Sequence, residues 1–174
     1  MSARSNTDTR SGLASIVSEV SLELLRKQVD WVASSSDMEH FSNRNSDKAE
    51  SKFNQLSMGV RSKMQRETRV SVDGMGLNVD RMGGMGAGMI EKPTLAVVTI
   101  VLALRGESLK RLGLERNING ISALRNALET LASGAVSDQG ENVLAAEVLW
   151  TPEEPWEVLT REEAINDFPE LMDL

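Results

Sequence analysis

Apolar residues recur every three or four positions in the first part of the chain, a spacing that is typical of amphipathic helices. Between Leu13 and Val32 they share one side of a helical wheel, while charged residues lie elsewhere on it. The residues of this apolar side are Leu13, Ile16, Val17, Val20, Leu24 and Trp31. The pattern predicts a helix from Leu13 to Val32.

A second helical pattern follows a polar segment. Ser46 or Asp47 can cap this helix, since both side chains accept hydrogen bonds from the first backbone amides. Its apolar residues are Ala49, Phe53, Leu56 and Val60. Ser57 offers an alternative, in which a third helix restarts there.

The residues after Val60 change character. Residues 61–69 hold four bases and one acid, the only basic run in the sequence. Val70 and Val72 then alternate with polar neighbours, which favours a short strand before Asp73–Gly74 turns the chain.

Glycine and methionine dominate the middle of the chain. Six of the thirteen glycines and four of the nine methionines lie between Gly74 and Met89. Little in this stretch could pack as a regular element, so it predicts a linker or loop. The expected organisation is therefore a helical region at 1–73, a linker or loop at 74–92 and a small α/β region at 93–174. A single composite domain is the alternative.

Strand and helix patterns alternate in the second half. Residues from Thr94 to Leu104 are apolar on both faces and rich in β-branched side chains, which predicts a central buried strand. Helical spacing predicts a helix from Ser122 to Ser133. A second strand is expected from Val143 to Trp150. Its predicted apolar face consists of Leu144, Ala146, Val148 and Trp150.

This order of elements predicts an α+β fold with a small sheet of two to four strands. A strand, a helix and a second strand favour a right-handed parallel crossover, and an intervening hairpin would change that pairing. Near the end, Thr160 and Glu163 have the spacing of a capping box, and Pro169 ends the short helix that they begin.

Charge and composition restrict the function more than they define it. The net charge of −7 lies entirely after residue 150, where eight acids face one base, Arg161. The longest apolar stretch is far shorter than the roughly 20 residues of a membrane-spanning helix. The sequence contains no cysteine, which excludes disulfides and thiolate chemistry. Overall acidity and few aromatic residues disfavour nucleic-acid binding.

The candidate catalytic and ligand-binding patterns are weak. No Gly-x-Gly-x-x-Gly or P-loop spacing occurs in the glycine-rich stretch, and His40, the only histidine, lies in a polar segment that favours a solvated loop. Paired acids such as Glu162 and Glu163 are more typical of a solvated face than of a catalytic pair. We therefore expect no catalytic residue, cofactor or metal site.

A partner surface is the better expectation for the acidic tail and the basic run. Clustered aromatic residues beside charged ones favour core packing or protein contacts over base stacking. The partner-binding candidates are Trp150, Trp156, Phe168, Glu153, Glu154, Arg61 and Lys63.

Three blocks of residues resemble a family of cyanobacterial and chloroplast proteins known as domain of unknown function fifteen-seventeen. The first block comprises Gly12-Leu13, Glu19, Leu22, Leu24-Leu25-Arg26 and Trp31. The second comprises Phe53, Leu56-Ser57, Arg61-Ser62-Lys63 and Glu67-Thr68. The third comprises Glu147 to Pro152, Leu159-Thr160, Glu163 and Phe168-Pro169. Together these blocks extend over nearly the whole chain.

The resemblance implies a thylakoid-associated accessory protein of the chloroplast or of a cyanobacterium, with a part in acclimation of photosynthesis to changing light. It also implies attachment to the membrane through an upstream segment or through partners. The leading hypothesis is a non-enzymatic protein that binds photosynthetic proteins and no small-molecule substrate. A stably bound subunit or linker of a photosystem or antenna complex is one alternative. An enzyme or small-ligand binder with a site near the Gly/Met-rich stretch is another, and a soluble stromal chaperone-like factor is a third.

Overall fold

The computed structural model describes residues 9–78, 94–105, 118, 120–135, 137–153 and 157–174, and for 43, 65–78 and 138 it describes the backbone alone. These residues form an α+β fold with four α-helices and two antiparallel sheets of two strands each. The α-helices are α1 (Arg10–Arg26), α2 (Ser46–Asn78), α3 (Ile121–Gly134) and α4 (Arg161–Asp167). The strands are β1 (Ala33–Ser34), β2 (Val97–Leu104), β3 (Val143–Thr151) and β4 (Met172–Asp173), and short 3-10 turns cover Gln28–Asp30, Asn43–Asn45 and Ser137–Gly140.

The contacts divide the chain into two compact units. The larger unit contains Met1–Gln55, Ile100–Val148 and Glu170–Leu174. The smaller unit contains Leu56–Thr99 and Leu149–Pro169. Each unit combines segments that are distant in sequence. The three-region organisation predicted above remains a prediction.

Helix α1 begins at Arg10, before the predicted start at Leu13, and ends earlier than its apolar pattern. The Thr9 hydroxyl accepts a hydrogen bond from the Gly12 amide at 3.1 Å, which satisfies one of the free amides of the first turn. The prediction that the helix reaches Val32 is wrong. The indole N–H of Trp31 donates to the Leu24 carbonyl at 3.0 Å, so Trp31 folds back on the helix end from outside it.

Helix α2 is one continuous element. It starts at Ser46 as predicted and continues to Asn78, so neither a restart at Ser57 nor a strand at Val70 and Val72 is present. The helix-propensity cost of β-branched residues is small, and a preceding helix can extend through them. Residues 79–92 of the predicted linker lie outside the described residues, while Gly74 falls within the helix.

The core of the larger unit lies where α1 meets α3 and β3. Ala14, Val17, Ala135 and Val143 form a buried cluster, and Leu102 and Leu104 of β2 pack against it. The small side chains let the two helices approach closely, and the Ser18 hydroxyl donates to the Ala132 carbonyl at 2.7 Å. Close packing of this kind leaves little room for larger residues.

Gly140 allows the turn before β3 to contact α1. Its φ of +81° lies in the left-handed region that glycine adopts readily. A Cβ atom at this position would lie 2.8 Å from the Ala14 Cβ and 3.0 Å from the Arg10 carbonyl oxygen. The position therefore requires glycine for two independent reasons.

The β2–β3 sheet is antiparallel, and the predicted parallel crossover is wrong. The Arg105 amide, directly after β2, donates to the Asn142 carbonyl directly before β3 at 3.0 Å. The end of β2 thus lies beside the start of β3, as antiparallel pairing requires. Among the described residues β2 pairs only with β3, and its Val98 is 37% exposed, so this part of the chain does not show the central buried strand that the apolar sequence predicts.

The burial of β3 also differs from its predicted apolar face. Leu144 and Trp150 of that face are 45% and 54% exposed. Val143 and Thr151, which lie on the opposite face because side chains alternate along a strand, are buried. Ala146 of the predicted face does pack against the core cluster, so the prediction of one buried apolar face holds only for part of the strand.

The smaller unit buries its own set of side chains, among them Met64, Leu159, Ala164 and Phe168. An isolated antiparallel bridge joins Leu95 to Leu159, and the Leu95 amide donates to the Leu159 carbonyl at 2.9 Å. Helix α4 follows this bridge directly and ends at Asp167, as the position of Pro169 predicts.

A second sheet, which the sequence pattern does not reveal, pairs β1 with β4. Ala33 lies opposite Asp173 and Ser34 lies opposite Met172 in antiparallel register. The two strands contain two residues each, too few for a visible alternation of apolar and polar side chains.

Candidate partner-binding surface

Trp150 occupies the end of β3 in the smaller unit. It is 54% exposed, whereas Thr151, the next residue, is only 2% exposed. The buried threonine holds the strand end in place, and the indole beside it faces solvent over about half its surface. Tryptophan presents a large apolar area with one hydrogen-bond donor, which suits it to protein contacts.

The acidic candidates near Trp150 differ in what the structure describes. Glu153 is exposed. Glu154 and Trp156 lie outside the described residues. Glu157, which was not a candidate, is buried at 6% exposure and makes contacts of its own.

Phe168 is 3% exposed and caps the end of α4. The Lys63 ammonium of α2 lies 4.9 Å from the centroid of its ring. A cation at this distance from an aromatic face is attracted by the electron density of the ring. Burial and this contact favour a packing role for Phe168 over a direct contact with a partner.

The two basic candidates lie on α2 in the smaller unit. Arg61 is exposed, and Lys63 is partly exposed while it contacts Phe168. Both residues take part in interactions within the chain. The structure therefore brings Lys63 and Phe168 together and leaves Arg61 on the surface of the helix.

The predicted capping box at the start of α4 is confirmed. The Glu163 amide donates to the Thr160 hydroxyl at 3.2 Å, and the Thr160 amide donates to the Glu163 carboxylate at 2.8 Å. Hydrogen bonds from the Thr160 side chain and backbone lower the pKa of Glu163, because they stabilise its charged form. Glu163 thus caps the amino end of α4 as a charged carboxylate.

Other exposed apolar side chains of the smaller unit were not among the candidates. Ile165 of α4 is 57% exposed and Met58 of α2 is 65% exposed. Ala164 and Phe168, four residues apart, both face inward. A helical wheel anchored on that pair would have placed Ile165 outward, because the next residue is rotated by about 100°.

A shallow polar depression lies at the start of α1 in the larger unit. It is lined by Thr9, Arg10, Ser11, Gln139 and Glu141. Arg10 and Glu141 form an ion pair at 2.9 Å across it, and both side chains are about half exposed. Surface pairs of this kind contribute little to stability, and the sequence has no motif that marks them.

The remaining hypotheses concern metals, membranes and small ligands. His40 is exposed, and within the described residues no three His, Asp or Glu side chains converge as a metal site would require. No helix in the described part of the chain is long and apolar enough to span a membrane. The hypothetical ligand site near the Gly/Met-rich stretch depends on 79–93, outside the described residues.

Comparison with known proteins identifies relatives along the full sequence. Protein FLAP1 homolog A of Synechocystis sp. is 33% identical over 174 residues, which covers 95% of this chain and 48% of that protein. FLUCTUATING-LIGHT-ACCLIMATION protein 1, chloroplastic, of Arabidopsis thaliana is 31% identical over 173 residues, covering 98% of this chain and 40% of that protein. The chain spans less than half the length of each of these curated relatives. No solved structure matches it.

The family resemblance of the three residue blocks in the sequence agrees with a match to a family model. The model of the family described as Protein of unknown function (DUF1517) matches residues 1–174, the whole chain. The chain belongs to the DUF1517 family.

Proposed function

We propose that this chain is a non-enzymatic accessory or regulatory protein in the acclimation of photosynthesis to changing light, acting through contacts with proteins of the photosynthetic membrane. Two relatives support the physiological part, since one is named for fluctuating-light acclimation and the other as a homologue of FLAP1. The name of the plant relative also places that protein in the chloroplast. A chloroplast or cyanobacterial location, at the thylakoid, is part of the proposal.

The observation that carries the contact mechanism is the exposed indole of Trp150. A tryptophan that is 54% exposed leaves a large apolar area in water, and covering that area favours association. The neighbouring Thr151 is buried, so the backbone that carries the indole is anchored at the strand end.

The charge of the tail gives this surface a preferred kind of partner. In the smaller unit, which contains Trp150, Glu153 and Glu162 are exposed acids. Exposed acids accelerate encounters with basic surfaces and disfavour acidic ones. The proposed partner is therefore a protein with a basic surface around an apolar contact.

The direct test is affinity capture from solubilised thylakoids with the full chain. Trp150→Ala removes the exposed indole, and Leu144→Ala is the matched control, since Leu144 is an exposed apolar residue of the same strand at 45%. We expect the wild-type chain and Leu144→Ala to recover the same photosynthetic proteins, and Trp150→Ala to lose them.

Two outcomes would contradict the proposal. Recovery of no photosynthetic protein by the wild-type chain would refute the membrane role, and equal recovery by Trp150→Ala would refute the contact through Trp150. Migration on native gels extends the test. A chain that co-migrates with a large complex is a bound subunit or linker, whereas one that migrates alone acts transiently.

A further inference from the structure

The two tryptophans that the structure describes use their indole N–H groups differently. The Trp31 N–H donates to the Leu24 carbonyl at 3.0 Å, so the fold of the larger unit satisfies it. Trp150 of the smaller unit is 54% exposed, and within the described residues its N–H makes no hydrogen bond. The fold therefore leaves Trp150 with an aromatic surface and a hydrogen-bond donor to offer to a partner.

The charged side chains of the smaller unit are unequally engaged. Its described bases all take part in interactions within the chain: Arg61, Lys63 and Arg161. Glu153 and Glu162 are exposed, and neither forms an ion pair in the described part of the chain. Glu153 follows Trp150 by only three residues. A positive group is therefore the complement that this surface lacks.

The smaller unit already pairs a cation with an aromatic ring. The Lys63 ammonium lies 4.9 Å from the centroid of the buried Phe168 ring. Indole attracts a cation more strongly than a phenyl ring does. Within the described residues no cation lies over Trp150, although its ring is the better site for one.

Arginine fits these features better than lysine. A guanidinium is planar and weakly hydrated, so it stacks on an aromatic face while its N–H groups bond a carboxylate. A single arginine can therefore engage the Trp150 ring and the Glu153 carboxylate. The indole N–H suits a backbone carbonyl of the partner, because exposed acids disfavour the approach of another carboxylate.

We propose that Trp150 is the docking site for an arginine in a basic segment of a partner protein. The guanidinium stacks on the indole, Glu153 supplies the carboxylate that pairs with it, and a backbone carbonyl of the segment accepts the indole N–H. This recognition rests on the proposed contact through Trp150 and names the chemical group that the contact selects.

NMR titration of the full 174-residue chain with short peptides tests the recognition. The probe is the capped peptide Gly-Arg-Leu-Arg-Gly, and its control carries citrulline, a neutral group of nearly the same shape, in place of arginine. We expect the arginine peptide to shift the Trp150 indole N–H resonance and to bind at least about fivefold more tightly than the citrulline peptide. The Trp31 indole N–H, which is bonded to Leu24, should not move.

The peptides also define the results that would overturn the proposal. Equal binding of the arginine and citrulline peptides would show a contact that ignores charge. A matched lysine peptide should bind more weakly than the arginine peptide, since an ammonium cannot stack and pair at the same time. Equal binding of the lysine peptide, or no shift at Trp150, would also refute arginine recognition.

Variants of the chain separate the ring from the carboxylate. Trp150→Leu keeps an apolar side chain without the aromatic ring, and should weaken binding of the arginine peptide at least about fivefold, as followed at the Thr151 amide. Glu153→Gln should weaken it about threefold. Glu50→Gln makes the same charge change at an exposed acid of the larger unit and should have a smaller effect. Unchanged binding in Trp150→Leu, or equal effects of the two Gln variants, would contradict the proposed site.

These titrations are separable from the capture experiment. If the arginine peptide binds at Trp150 while the chain captures no photosynthetic protein, the photosynthetic role is refuted and arginine recognition stands. If capture depends on Trp150 while the arginine and citrulline peptides bind equally, the contact stands and arginine recognition is overturned.

Discussion

The α1–α3 interface of the larger unit and the surroundings of Phe168 in the smaller unit are stabilised in different ways. The interface is built from small residues at close range, and the turn before β3 packs on α1 so closely that a methyl group at Gly140 would come within 2.8 Å of Ala14. Phe168 instead has a large buried ring, with the Lys63 ammonium 4.9 Å from its centroid. The larger unit should therefore be sensitive to added volume and the smaller unit to lost volume or charge.

The largest expected effect is removal of the Phe168 ring. Phe168→Ala should lower the free energy of unfolding by about 3–4 kcal/mol, because it deletes a buried aromatic side chain and leaves a cavity. Denaturant unfolding measures the loss. Lys63→Met is the control, since it keeps most of the side-chain volume and removes the cation. It should lower the free energy of unfolding by about 0.5–1 kcal/mol. Equal losses in the two variants would show that the cation contributes as much as the ring.

Added volume where the turn before β3 contacts α1 should have the next largest effect. Gly140→Ala should destabilise by about 2–3 kcal/mol, because overpacking adds to the strain of a positive φ. Gly120 is the control, since its φ is +84° and, among the residues that the structure describes, no atom lies within 4 Å of the Cβ it would gain. Gly120→Ala should cost less, about 1–2 kcal/mol in the same denaturant titration, because backbone strain acts there without a close contact. Similar values for both would mean that close contact with α1 adds nothing.

These two regions also show what could be predicted from the sequence. The capping box at Thr160 and the helix around Leu128 depend on residues three or four positions apart, and both predictions are confirmed. The direction of the β2–β3 pairing depends on the route of the intervening chain, and that prediction is wrong. Strand β4 shows no pattern because its two residues are too few.

The residue types of the candidate surface can be read from the sequence, but their exposure depends on tertiary packing. Tryptophan in an apolar strand is expected on the buried face, and only the packing of β3 shows that Trp150 is half exposed. Phe168 was selected for its place in the acidic tail, and the inward face of α4 buries it.

A smaller effect is expected at the α4 capping box. Thr160→Ala should cost about 1 kcal/mol, as loss of an N-cap hydroxyl does in other helices. Glu163→Gln should also destabilise at neutral pH, because the lowered pKa of Glu163 means that folding favours its ionised form. That stabilisation is present above the ordinary pKa of 4.5 and is lost as the pH falls through the lower pKa of the folded state.

The free energy of unfolding of the wild type and of Glu163→Gln, measured across a pH series, therefore tests whether the charged Glu163 carboxylate stabilises the smaller unit. The difference between the two proteins should narrow on acidification below about pH 4.5. Glu162→Gln, at the exposed neighbouring acid, is the control and should differ less from the wild type in free energy of unfolding. If the difference between the wild type and Glu163→Gln did not change with pH, the charged cap would be contradicted.

The smallest effect on stability is expected at Trp150, although its effect on binding should be the largest. Trp150→Ala should change the free energy of unfolding by less than about 1 kcal/mol, because half of the indole is already in water. Phe168→Ala provides the contrast within the same unit. If thermal unfolding shows that Trp150→Ala costs as much as Phe168→Ala, the indole belongs to the core. If Trp150→Ala costs little stability while capture of photosynthetic proteins is lost, the exposed indole contributes to partner binding and not to the stability of the fold.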